Sequence, residues 1–87
     1  MKKLELELKN ETGLHARPAS LFVKTASDYV CDVKLTKGER TCDAKSIMGV
    51  LSLGAMKGDS LVIETDGADE QEALEALKKL IENNFGE

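Results

Sequence analysis

Thr12-Gly13-Leu14-His15-Ala16-Arg17-Pro18-Ala19 is the point in this 87-residue chain where one hydrophobic period gives way to another. Before it, Leu4, Leu6 and Leu8 alternate with Lys3, Glu5, Glu7 and Lys9, the pattern of a strand apolar on one face and solvated on the other. After it, Ala19, Phe22, Val23 and Ala26 fall at i, i+3, i+4 and i+7, one apolar face of a helix. The chain's only proline, Pro18, fits the first turn of that helix, where its missing N–H would be unpaired in any case. The reading is a strand, a turn over Asn10-Glu11-Thr12-Gly13, and a helix from about Ala16 to Ser27 that buries Phe22 and Val23 against a sheet. The only histidine, His15, then stands at or just before the helix N-terminus, with Gly13 giving the turn its freedom.

That position has a chemistry. A helix N-terminus presents unpaired N–H groups and roughly half a positive elementary charge, which favours an anion. The same field favours a neutral imidazole with a ring nitrogen free to attack. Arg17 adds a permanent cation able to fork onto phosphate oxygens. Ala16 is small enough to leave the ring uncovered. Together these suit a histidine that accepts a phosphoryl group and passes it on. On the residues alone, an exposed histidine beside an ordinary helix start fits the same pattern.

The rest of the chain continues the alternation of periods. Cys31, Val33 and Leu35 alternate with Asp32, Lys34 and Thr36 as a second strand. Lys37-Gly38-Glu39 reads as a hairpin turn, and Arg40 to Asp43 as a short return strand at a sheet edge. Ser46 is placed to cap a short helix reaching about Leu53, with Ile47, Val50 and Leu51 on one side and Leu53 available for the core. That helix carries more apolar residues than it needs to anchor itself. Gly54 and Gly58 punctuate a loop, and Ser60 to Thr65 forms the last strand with Leu61 and Ile63 facing in. After the Asp66-Gly67 turn, Asp69 and Glu72 have the spacing of an acidic capping box. Ala73, Leu74, Leu77, Leu80 and Ile81 form the core stripe of a C-terminal helix, and Glu75 and Lys79 an i,i+4 pair on its outer side. The order β-α-β-β-α-β-α implies a two-layer α+β fold, expected as a single domain over residues 1–87.

Composition narrows the function classes. Twelve basic against sixteen acidic residues give a net charge of −4, which argues against a nucleic-acid grip. No apolar run approaches the roughly 20 residues of a membrane span, and no secretory leader pattern opens the chain, so a cytoplasmic protein is expected. Cys31 and Cys42 lack the partners of a zinc site, a disulfide is not expected in a reducing cytosol, and both read as small packing residues. No metal or cofactor is called for.

Gly13-Leu14-His15-Ala16-Arg17-Pro18-Ala19 resembles the active-site signature of the HPr family, the histidine-containing phosphocarriers of the phosphoenolpyruvate-dependent sugar phosphotransferase system. Lys45-Ser46-Ile47-Met48-Gly49-Val50-Leu51-Ser52-Leu53-Gly54 resembles the regulatory-serine segment of the Gram-positive type, and the chain length matches the family domain. The resemblance implies an open-faced sandwich: a four-stranded antiparallel sheet, with three helices on one face. It implies phosphorylation of His15 at Nδ1 by Enzyme I, delivery to IIA components of sugar permeases, and an Arg17 that steadies the phosphoryl group. In these terms Gly13, Ala16 and Pro18 shape the site. The family's Gram-positive branch further implies that an ATP-dependent HPr kinase/phosphorylase modifies Ser46 and that a catabolite control transcription factor binds the product. Ile47, Met48 and Leu51 correspond to an exposed apolar docking patch, with Ser20 beside the site. Leu51 stands where many relatives carry methionine, and Ser20 where alanine or threonine is common. Such a protein is a substrate of enzymes rather than an enzyme, and is expected to be a monomer. Two alternatives stand beside it: a purely regulatory HPr-like module acting through Ser46, and a small-ligand-binding α+β domain.

Overall fold

In a computed structural model that describes residues 1–86, the chain runs β1 (Lys2–Glu7), α1 (Ala16–Ser27), β2 (Asp32–Lys37), β3 (Arg40–Asp43), α2 (Ile47–Ser52), β4 (Ser60–Asp66) and α3 (Glu70–Glu82), followed by a short 3-10 turn at Asn84–Gly86. The strands form one antiparallel sheet in the order β1-β4-β2-β3. Its register shows why the two faces differ. Leu4, Ile63, Leu35 and Cys42 lie side by side across all four strands, a continuous apolar row on the inner face. One residue along, Lys3, Glu64, Lys34 and Asp43 form a row of alternating sign on the outer face. Opposite charges directly across strands favour this register, and a slip by one residue would exchange the two rows.

The three helices cover the inner face. The α3 helix lies against β1 and β4, α2 against β3, and α1 bridges α2 and α3. Phe22, Leu8, Leu35, Leu61, Ile63, Leu77 and Val50 are fully buried between the layers. Each such side chain contributes roughly 1.5–3 kcal/mol relative to exposure. Val23 is only half-buried, because Phe22 occupies the centre of the helix face and leaves Val23 at its margin. The hairpin pairs Lys37 with Arg40, so the turn itself is the two residues Gly38 and Glu39, with Gly38 at φ +60°.

Two further local expectations are corrected, and one core residue is added to those read from the sequence. Asp69 is the N-cap of α3, yet its carboxylate makes no cap bond there. Its two oxygens instead accept the consecutive N–H groups of Val30 and Cys31, both at 2.9 Å. Those donors, between α1 and β2, have no strand partner, and two aligned N–H groups match a carboxylate better than one helix donor does. The turn before α3 is closed by Glu70, whose Oε1 accepts the Gly67 N–H at 3.1 Å, rather than by Glu72. On the outer side of α3, the Glu75 carboxylate takes its hydrogen bond from Gln71 Nε2 at 3.0 Å rather than pairing with Lys79. Finally, Phe85 belongs to the core: it is 5% exposed, although it and Asn84 sit at φ +56° and +53°. Ring burial offsets a backbone conformation that residues other than glycine rarely take.

Candidate functional site

The segment that presents His15 is assembled from the turn upward. The Gly13 N–H donates to the Asn10 carbonyl at 3.2 Å, and the buried Asn10 amide donates to the Gly13 carbonyl at 2.9 Å and to Thr12 Oγ1 at 3.2 Å. Gly13 stands at φ +61°, and a Cβ there would lie 2.6 Å from both the Ala55 carbonyl oxygen and Met56 Cα. Only glycine lets these two backbones approach so closely. Leu14 is buried and donates its N–H to the Ala55 carbonyl at 2.9 Å. His15 follows as the N-cap of α1, in extended conformation, its carbonyl accepting the Ala19 N–H at 2.8 Å.

The imidazole itself is exposed and makes no cap bond, and no acidic residue occupies the first turn of α1. Ala16, Arg17 and Ser20 are exposed around it, whereas Pro18 and Ala19 are buried and hold the first turn to the core. A ring nitrogen thus stands at a positive helix end open to solvent, with the exposed Arg17 two residues along the chain. The arrangement can receive an anionic group delivered by a macromolecule.

The second sequence motif folds as expected. Ser46 caps α2, its Oγ accepting the Gly49 N–H at 3.2 Å, and it is exposed. Val50 and Leu53 enter the core, while Met48 is 75% and Leu51 38% exposed and Ile47 is half-buried against the core. Leu51, Gly54, Ala55 and Met56 line one shallow depression together with Leu14 and His15. Leu51 is therefore at the histidine, whereas Ser46, Ile47, Met48 and Ser20 lie outside that depression. Two contributors were missed by the sequence reasoning: Asn10, legible in principle as an Asx residue three before a glycine, and Met56, an exposed methionine in the Gly54–Gly58 loop.

Elsewhere the chemistry is quieter. Burial pushes both the Cys31 and the Cys42 thiols up, aided by the neighbouring carboxylates of Asp69 and Asp43, so neither is poised as a nucleophile. Among the described residues, no three His, Cys, Asp or Glu side chains converge as a metal-binding group. No helix is long and apolar enough to cross a membrane among them. A further depression, at the β2–β3 edge of the sheet, is lined by Asp32, Lys34, Thr41, Cys42, Asp43 and Lys45, and its one thiol, Cys42, is pushed up by burial and by Asp43.

Comparison with known proteins places this geometry. Residues 2–83 match the family model described as "PTS HPr component phosphorylation site". The chain is 47% identical over 87 residues to the phosphocarrier protein HPr of Neisseria meningitidis, covering all of this chain and 98% of the relative. The crystal structure of an HPr from Thermoanaerobacter tengcongensis superposes with a TM-score of 0.98 at 49% identity, covering 100% of this chain and 98% of that one. A second structure from that organism, described as an HPr dimer, gives a TM-score of 0.81 at 49% identity over the whole of both chains.

Proposed function

Because the chain belongs to the HPr phosphocarrier family, we propose that His15 is the residue that carries the phosphoryl group. The family acts in the phosphotransferase system as a carrier and not as an enzyme. In this reading Enzyme I, charged from phosphoenolpyruvate, delivers the group and IIA components of sugar permeases remove it. His15 Nδ1 attacks phosphorus as the bond from phosphorus to the donor breaks, the electron pair returning to the donor. The N–H groups at the start of α1 and the Arg17 guanidinium face the charge on the transferred oxygens. The observation that carries the reading is the exposed, uncapped imidazole at a helix N-terminus without a competing acid.

Ser46 supports a regulatory layer on the same protein. Its hydroxyl is exposed at the cap of α2, and a phosphate would add about −1.5 to −2 charges there at neutral pH. An HPr kinase/phosphorylase and a catabolite control transcription factor are the partners this implies. Partners in transfer dock on Leu51 and Met56 beside the histidine and on Met48 and Ile47 of α2, with Ser20 at the margin. The carrier works as a cytoplasmic monomer of one domain and needs no cofactor or metal. An exposed His15 favours this over a module that only regulates, for which the histidine would have no use.

The discriminating experiment isolates protein charged by Enzyme I with labelled phosphoenolpyruvate and mixes it with IIA components. Label moving from this protein to a IIA component is expected. Label that is accepted but never passed on, in the face of a functional control carrier, would leave only the regulatory role.

A further inference from the structure

The loop that walls His15 is held from the opposite side by two charged residues that the transfer chemistry does not use. Lys37, at the end of β2, directs Nζ to the Gly54 carbonyl at 3.3 Å and to Asp59 Oδ2 at 3.2 Å. The same Asp59 Oδ2 accepts the Met56 N–H at 2.8 Å, and the Asp59 N–H returns to the Met56 carbonyl at 2.9 Å. Asp59 is itself fixed to the strand end, its carbonyl accepting the Leu8 N–H at 2.9 Å. Arg40, across the hairpin turn, places Nη1 on the Ser52 carbonyl at 3.0 Å. Two cations of one hairpin thus take the last carbonyl of α2, at Ser52, and a carbonyl of the loop just beyond its cap, at Gly54.

Between Gly54 and Met56 lies Ala55, whose carbonyl accepts the Leu14 N–H and blocks any side chain at Gly13. The position of this loop and the position of the residue before His15 are therefore one geometric fact. We propose that Lys37 and Asp59 are positioning residues for phosphoryl transfer at His15: bridged to each other, they set the place of the 54–56 loop against which Gly13 and Leu14 seat the histidine. The inference rests on His15 being the phosphoryl acceptor. The Asp59 carboxyl is held below the usual carboxylate range by the Met56 N–H first and by Lys37 next, so the bridge is ionised at neutral pH. Loss of either partner frees Met56 N–H or the Gly54 carbonyl and lets the wall relax, and small displacements of a reacting group are expensive in rate.

The test uses Lys37→Met, Asp59→Asn and the conservative Lys37→Arg, with two readouts. Hydrogen exchange at the Leu14 amide reports the seat without any partner; transfer from Enzyme I charged with labelled phosphoenolpyruvate, at varied carrier concentration, reports function. Lys37→Met and Asp59→Asn are expected to speed Leu14 exchange about tenfold while the amides of the β2–β4 ladder stay protected. The saturating transfer rate should fall by roughly three- to tenfold, with the half-saturating carrier concentration moving by less than about twofold. Lys37→Arg should restore both readouts. Transfer at the wild-type rate in Lys37→Met overturns the proposal, as does slower transfer with Leu14 exchange unchanged, or a loss confined to the half-saturating concentration, which would assign the pair to docking. Wild-type protein that takes no label removes the carrier reading and this proposal with it, a result distinct from labelled wild type and equally labelled variants.

Discussion

Gly13 is the residue at which the site tolerates no side chain. Gly13→Ala must place a Cβ against two backbone atoms of the 54–56 loop while holding φ at +61°, whereas Gly38, at φ +60°, has nothing within 4 Å. Gly13→Ala should therefore destabilise by more than the roughly 1–3 kcal/mol of backbone strain alone, and Gly38→Ala by no more than that range, in urea titrations of the two variants. Equal losses would show that the close approach to Ala55 is not maintained in solution. Arg17 is exposed two residues beyond the histidine, so Arg17→Lys should leave the denaturation midpoint unchanged while slowing phosphoryl transfer through loss of the fork. A wild-type rate would reduce its role to that of a generic cation. The placement of His15, Arg17 and Pro18 at the start of α1 could be read in the sequence, because the change of hydrophobic period and the proline mark where the helix begins. Met56 could not, since what makes it part of the site is its contact with a glycine more than forty residues earlier, which no local period records.

At the scale of elements, the starts of α2 and α3 compare differently with what spacing suggests. The cap of α2 is as read: Ser46→Ala should cost about 1 kcal/mol, measured by thermal or urea unfolding, and leave transfer near the wild-type rate. Ser46→Asp keeps a cap oxygen and adds charge, so it should weaken the apparent affinity for Enzyme I. An unchanged affinity would confine Ser46 to its structural role. The start of α3 is not as read, because Asp69 turns away to the Val30 and Cys31 N–H groups, a tertiary contact that outcompetes a local box. The Val30 N–H foremost, and the Cys31 groups after it, hold the Asp69 carboxyl below the usual range against the opposing effect of burial. A carboxyl depressed in the folded state stabilises fully above its unfolded value, about 4, and that contribution is lost as pH falls through the folded value. Asp69→Asn should therefore be less stable than wild type at pH 7, with a shallower decline of Tm on acidification below about pH 4. A decline as steep as that of wild type would remove Asp69 from the acid transition.

Across the whole molecule, alternation told which residues face the core but not which strands are neighbours. β1 pairs with β4 and β4 with β2, contacts spanning most of the chain; the family resemblance implies four antiparallel strands, but neither it nor any period gives their order. Phe85 escaped for a related reason: its burial depends on a left-handed turn that no residue type there announces. The resulting molecule separates its faces. Charged rows occupy the open side of the sheet, and His15, Leu51 and Met56 share a depression at the helical side. The role of that depression in transfer rests on His15 receiving the phosphoryl group. Incubation of wild type and His15→Ala with Enzyme I and labelled phosphoenolpyruvate tests it directly. The account predicts acid-labile, alkali-stable label on wild type and none on a fully folded His15→Ala; label persisting on the alanine variant would contradict it.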